Sequence, residues 1–218
     1  MLIKRPRWFW RSLVAAVAFF ALPALSAGAK RNSCIETAMI VFDASGSMGV
    51  SHRGSLKIAT ARAAVTEVLP DITGVRETGL VTYAGCSRVE MRVAPALNTD
   101  QQITAALQAT PARGSTPLAR AVARAQQTLA ERGGKGVIVL VTDGLESCSG
   151  RPCRLAQRIA SITPGITVHV IGFALTPEIG RQHLRCLTEA TGGVYAHADD
   201  NRELSAALRK LLGCPMLS

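Results

Sequence analysis

Six short apolar runs punctuate the chain, and most of them lack the two-residue alternation of a half-exposed strand. They are Thr37 to Asp43, Thr78 to Ala84, Val89 to Val93, Gly136 to Thr142, Ile166 to Phe173 and Val194 to Ala198, each bounded by Gly, Pro or polar residues. A strand that is apolar on both sides has to be covered on both sides, as in a parallel sheet held between two layers of helices. Between the runs, Ile58, Ala61, Val65 and Val68 recur at helical spacing, as do Leu118, Ala121, Val122, Ala125 and Leu129, and later Leu204, Leu208 and Leu211. The strand-then-helix order repeats, so the economical fold is α/β, an open sheet with helices on both faces. One pair departs from the pattern. Only a few residues around Gly85-Cys86-Ser87 separate the second run from the third, whereas a parallel crossover needs a dozen or more, so these two strands are expected to be antiparallel. No internal repeat or low-complexity linker interrupts the chain, and one domain is expected over residues 34–214.

The start of the chain addresses its compartment. Lys4, Arg5, Arg7 and Arg11 form a basic segment, Ser12 to Leu25 an apolar one, and small residues follow at Ala27 and Ala29. This is the pattern of a secretory signal peptide over residues 1–29, cleaved near Ala27 or Ala29. An uncleaved anchor is the alternative, but Arg11 interrupts the apolar segment short of the roughly 20 residues that a span needs. The expected location is secreted or periplasmic, with membrane contact only through a retained anchor. Cleavage after Ala29 removes four basic side chains and no acidic one, which lowers the formal charge from +10 to +6. The remaining Arg and Lys are scattered without aromatic interleaving, so a solvated basic surface is favoured over a nucleic-acid groove.

All six cysteines follow the leader, and an even count in an exported chain points to disulfides. Cys148 and Cys153 are near enough in sequence to staple their own loop. Cys34 and Cys214 bracket the domain and would tie its ends together, which leaves Cys86 for Cys186. A zinc site at Cys148 and Cys153 is disfavoured because no second matching pair exists.

The first apolar run ends in Asp43-Ala44-Ser45-Gly46-Ser47, and two more oxygen donors stand far downstream, Thr116 in Gly114-Ser115-Thr116-Pro117-Leu118 and Asp143 in Val141-Thr142-Asp143-Gly144. Each lies where a strand or loop should give way to a helix, and in open α/β sheets ligands bind beyond the carboxyl ends of the strands. Alternate side chains of Asp43-x-Ser45-x-Ser47 can point at one spot, with Gly46 permitting an unusual backbone angle. Taken singly, these residues read as helix caps or a turn. Together they offer two carboxylates and three hydroxyls, the hard oxygen ligands of Mg²⁺ or Mn²⁺, with Ca²⁺ less suited. Two carboxylates only neutralise a dication, so the metal would stay electrophilic toward a further carboxylate.

This set resembles the metal-ion-dependent adhesion site of the von Willebrand factor type A domain. The likeness runs from about Glu36 to Leu212, and the flanking Ile40-Val41-Phe42 and Val139-Leu140-Val141 are similar to bacterial members. The resemblance implies a mostly parallel six-stranded sheet with one antiparallel edge strand and a metal site on its upper face. Ser45 and Ser47 would contact the metal directly, and Thr116, Asp43 and Asp143 directly or through water. It also implies an adhesion or assembly role, in which the metal is presented to an Asp or Glu of a protein partner. No acidic residue occurs in Gly49 to Ser55, so the neighbouring calcium site of some adhesion receptors is not expected.

An enzyme is the competing class. Ala44-Ser45-Gly46-Ser47-Met48-Gly49 does not form a Gly-x-Ser-x-Gly nucleophile elbow. A Mg²⁺-dependent hydrolase or phosphoryl-transfer enzyme using Asp43 would want a lysine for the phosphate, and the nearest in sequence is Lys57; no Gly-rich phosphate loop is present. His169 lies within an apolar run and suits a sheet role, while His52, His183 and His197 read as surface residues. The expectation is therefore a non-enzymatic binding module, with a metal-dependent enzyme or a structural domain bearing a vestigial site as alternatives.

Overall fold

In chain order the elements are β1 (Thr37–Asp43), a small hairpin of β2 (Ser51–His52) and β3 (Ser55–Leu56), α1 (Lys57–Thr73), β4 (Thr78–Tyr83), β5 (Val89–Ala96), α2 (Asp100–Gln108), α3 (Leu118–Glu131), β6 (Lys135–Thr142), α4 (Pro152–Ile162), β7 (Gly165–Phe173), α5 (Pro177–Thr191), β8 (Tyr195–Ala198) and α6 (Asn201–Leu212). The structure is a computed structural model that describes residues 36–175 and 177–214. The expected leader and Cys34 lie outside the described residues, so neither the signal peptide nor the Cys34–Cys214 pairing is addressed. No described helix is long and apolar enough to cross a membrane.

The main sheet has six strands in the order β5-β4-β1-β6-β7-β8. All neighbours are parallel except β5, which pairs antiparallel with β4 at one edge. This is the expected architecture. Strand β1 shows why its sequence does not alternate: Ala38, Ile40 and Phe42 pack toward α1, α2 and α6, while Met39 and Val41 pack toward α3, α4 and α5. All five are fully buried. Each large side chain so buried contributes about 1.5–3 kcal/mol relative to exposure.

The expected helical stripes are all realised. Ile58, Ala61, Val65 and Val68 line the inner face of α1, Leu118 to Leu129 that of α3, and Leu204, Leu208 and Leu211 that of α6. Helices α2 and α4 were not legible by spacing because each buries only two apolar side chains, Ile103 with Leu107 and Ala156 with Ile159. Strand β5 extends to Ala96, beyond the expected Val93, because its edge position lets it carry exposed residues such as Glu90 and Ala94.

At the lower end of the sheet, buried Arg76 donates from Nε to the Glu36 carbonyl (3.0 Å) and from Nη1 to the Leu212 carbonyl (2.6 Å). One side chain thereby joins the start of β1 to the end of α6. At the upper end, β1 lies between β4 and β6, and the chain moves first to the β4 side and later to the β6 side. That reversal opens a crevice at the carboxyl ends of the central strands.

Two expected disulfides are corrected. Cys86 pairs with Cys148 (Cα–Cα 5.4 Å) and Cys153 with Cys186 (Cα–Cα 5.1 Å), in place of Cys148–Cys153 and Cys86–Cys186. Nearness in sequence was misleading because α4 begins at Pro152, between the two cysteines. Cys148 stays in the loop beside the β4–β5 turn that holds Cys86, and Cys153 lies in the first turn of α4, which packs on the α5 that carries Cys186.

Candidate metal centre

Asp43 closes β1 with its side chain fully buried. Its Oδ1 accepts the Ser45 N–H (2.7 Å) and its Oδ2 accepts the Thr142 hydroxyl (2.6 Å). Burial raises its pKa above the ordinary carboxylate value, these hydrogen bonds pull it partly back, and the neighbouring Asp143 adds to the rise. The Ser45 and Ser47 hydroxyl oxygens lie 3.0 Å apart, and the Ser47 hydroxyl donates to Asp143 Oδ1 at 2.7 Å. A Cβ placed on Gly144 would stand 3.8 Å from Ser47 Oγ and 3.9 Å from Thr116 Oγ1, which brings the threonine to the same spot. All five oxygen-bearing residues expected from the sequence therefore converge. Asp43, Ser45, Thr116 and Asp143 are buried and Ser47 is exposed, so the cluster opens to solvent on one side.

Backbone contacts hold the loops together. Gly46 N–H donates to the Gly114 carbonyl (2.8 Å), Arg113 N–H to Ala44 (2.9 Å) and Gly85 N–H to Ser115 (2.9 Å). Gly114 has φ +73°, and a Cβ there would meet Gly85 Cα at 2.9 Å. Glycine is required at this position twice over, for the left-handed angle and for the close approach. Gly46, in contrast, is not among the glycines with positive φ; its role is proximity to the Gly114 carbonyl, 3.3 Å from where a Cβ would lie.

The capping alternatives do not describe how the hydroxyls are used. Ser45 precedes the short 3₁₀ turn Gly46–Gly49 without a side-chain capping bond, and α3 is preceded by Pro117, with Thr116 one residue further out. Among the described residues the Thr116 hydroxyl bonds to no protein group, while its backbone is clamped by Ser147, whose Oγ accepts the Thr116 N–H at 2.8 Å.

Three supporting residues were missed in the sequence. Thr142 anchors Asp43, Ser147 anchors Thr116, and Lys57 places its ammonium 2.9 Å from Asp143 Oδ2. Lys57 had a legible signal. It is the first residue of α1, where the helix dipole disfavours a cation unless an anion compensates it. Of the histidines, His169 sits in β7 and accepts the Val194 N–H at Nδ1 (3.0 Å), consistent with a sheet role.

The donor set is entirely oxygen, and no three His, Cys, Asp or Glu side chains cluster among the described residues, so a cation here would depend on the hydroxyls. Bonds of 2.0–2.1 Å give an octahedron with edges of about 2.9 Å. The 3.0 Å and 2.7 Å separations along Ser45, Ser47 and Asp143 fit two such edges. The residues present thus suit a small hard dication, and suit a thiophilic metal poorly.

The family model described as von Willebrand factor type A domain matches residues 38–146, half of this chain, and the protein belongs to that family. An uncharacterized protein of Bacillus subtilis (strain 168), YwmD, is 27% identical over 186 residues, covering 78% of this chain and 82% of its own. Among solved structures, an aerotolerance-related membrane protein from Bacteroides fragilis superposes with a TM-score of 0.67 at 16% identity, over 81% of this chain and 98% of that one. The pilus adhesin SpaC from Lactobacillus rhamnosus GG gives 0.63 at 18% identity, over 81% of this chain and 30% of the adhesin. At these identities the structural likeness establishes the shared fold.

Proposed function

We propose that the chain is an exported, metal-dependent protein-binding module. Ser45 and Ser47 hold Mg²⁺, or Mn²⁺, directly, Thr116 and Asp143 hold it directly or through water, Asp43 with both oxygens already engaged reaches it through water, and a coordination position is left for an Asp or Glu carboxylate of a protein partner. The observation that carries this reading is the open-sided string of oxygens from Ser45 through Ser47 to Asp143, at separations an octahedral ion requires. Lys57 strengthens the case for an acidic partner. Its charge offsets Asp143, so the two carboxylates and the lysine carry a net −1 and a dication leaves the site at +1. A carboxylate is then the favoured incoming ligand. Two disulfides suit an oxidising compartment, and a pilus adhesin shares the fold.

The phosphoryl-transfer alternative gains a lysine, since the fold brings Lys57 to the cluster. It loses its nucleophile: Asp43 is fully buried and both of its oxygens are engaged by Ser45 and Thr142. Calorimetric titration tests the metal. The intact chain is expected to bind Mg²⁺ saturably and Asp43→Ala not at all; equal binding by both defeats the site, and no binding by either favours a vestigial one. Affinity capture from the native envelope tests the partner, with retention expected in Mg²⁺ and lost in EDTA or with Thr116→Ala. Retention indifferent to both would sink the adhesion reading, and phosphomonoester turnover abolished by Asp43→Ala would replace it with the enzyme.

A further inference from the structure

On the β6 side of the sheet, the first two turns of α3 and of α4 border a groove of about 230 Å³. It is lined by Arg120, Arg151, Arg154 and Arg158 together with Ala119, Ala123 and Leu155. All four arginines are exposed, and none pairs with a carboxylate among the described residues. Arg53, Lys57, Arg92, Arg132, Arg185 and Arg209 each meet an acidic side chain, so what marks the groove is that four arginines without one line a single depression. Four uncompensated cations around one concavity repel one another, and an anion entering between them relieves that repulsion. The groove is also braced. Arg120 donates to the Cys86 carbonyl, Cys86 is bonded to Cys148 three residues before Arg151, and Cys153 ties the start of α4 to α5.

We infer that this groove is a second binding site, one for an acidic peptide segment with an apolar side chain between its carboxylates. The carboxylates meet the arginines, whose guanidinium forks favour paired oxygens, and the apolar side chain covers Ala123 and Leu155. A concave site with apolar residues in its lining suits an inserted side chain better than a lipid headgroup plane, and with no aromatic residue lining it offers nothing for nucleobases to stack upon. The site makes no use of the metal.

Fluorescence anisotropy at low salt, in EDTA, tests this with the full chain and a labelled Glu-Glu-Leu-Glu-Glu peptide. Binding is expected to weaken at least about tenfold in Arg151→Gln/Arg154→Gln/Arg158→Gln and in Ala123→Glu, which puts a competing carboxylate in the groove. The Gln-Gln-Leu-Gln-Gln peptide should not bind, and Ser45→Ala should bind as the parent does. Equal binding by the triple variant overturns the proposal. So does loss of binding in Ser45→Ala, which would assign the peptide to the oxygen cluster, and so does binding of phosphatidylglycerol vesicles or oligothymidylate in place of the peptide. Unchanged thermal melting of the variants keeps a folding defect from imitating the expected loss.

Discussion

The oxygen cluster and the arginine groove share the upper end of one sheet, yet they settle their charges in opposite ways. At the cluster every carboxylate oxygen of Asp43 and Asp143 has a partner inside the protein: Ser45 N–H, the Thr142 and Ser47 hydroxyls, and Lys57. At the groove four cations have no acidic partner among the described residues. The cluster is a self-consistent polar network that a cation would enter by displacing the Ser47–Asp143 hydrogen bond, and the groove waits on an outside anion. Burial explains the difference. A buried carboxylate without partners costs several kcal/mol, so the fold must supply them, whereas an exposed guanidinium is solvated and tolerates solitude.

The largest expected effect comes from the covalent link that touches both regions. Removing Cys86–Cys148, which spans a separation of 62 residues, in Cys86→Ser/Cys148→Ser should cost about 4 kcal/mol in urea unfolding by the loop-entropy relation, and should weaken Mg²⁺ and acidic-peptide binding together. Weakening of only one would show that the two regions are braced separately. Gly114→Ala comes next. Strain at φ +73° and the contact with Gly85 should cost roughly 2–4 kcal/mol and loosen the cluster while sparing the groove, as read by urea denaturation and peptide anisotropy.

Much of this contrast was legible before the fold was known, and unequally so. The cluster's five residues could be read because Asp43, Ser45, Ser47 and Asp143 end or follow an apolar run, where the topology of an open sheet dictates the destination of a side chain, and Thr116 stands just before a helix. Its supports could not. Thr142 and Ser147 are ordinary in type, and only pairing of β1 with β6 and the course of the 143–151 loop bring them to Asp43 and Thr116. The groove was hidden for a related reason: Arg120 lies on α3 and the others at the start of α4, so no run of basic residues betrays it. The disulfides failed where sequence distance stood in for space, because α4 turns Cys153 toward α5 and leaves Cys148 behind.

Smaller effects sharpen the contrast further. Lys57→Gln removes the internal cation from Asp143 and should tighten Mg²⁺ by about tenfold in calorimetry, since a unit charge at this separation is only partly screened. Unchanged affinity would mean that the ion pair merely covers the cluster. Gln at Arg151, Arg154 and Arg158 should leave stability within about 0.5 kcal/mol, because these exposed groups give up no partner. The smallest effect belongs to His169, whose pKa is lowered by burial and then by the nearby Arg76 charge. The unfolded chain therefore binds the proton more readily, and stability should fall as pH drops below about 6.5, by about 1–2 °C in Tm. His169→Gln should remove that dependence in a melting series.

The metal is the central claim, and anomalous diffraction from a crystal soaked in MnCl₂ tests it most directly. The expected result is a peak about 2.1 Å from both Ser45 Oγ and Ser47 Oγ, with Asp43, Thr116 and Asp143 around it. A crystal that diffracts well, holds Mn²⁺ at saturating concentration, and shows no peak within bonding distance of those two hydroxyls would contradict it.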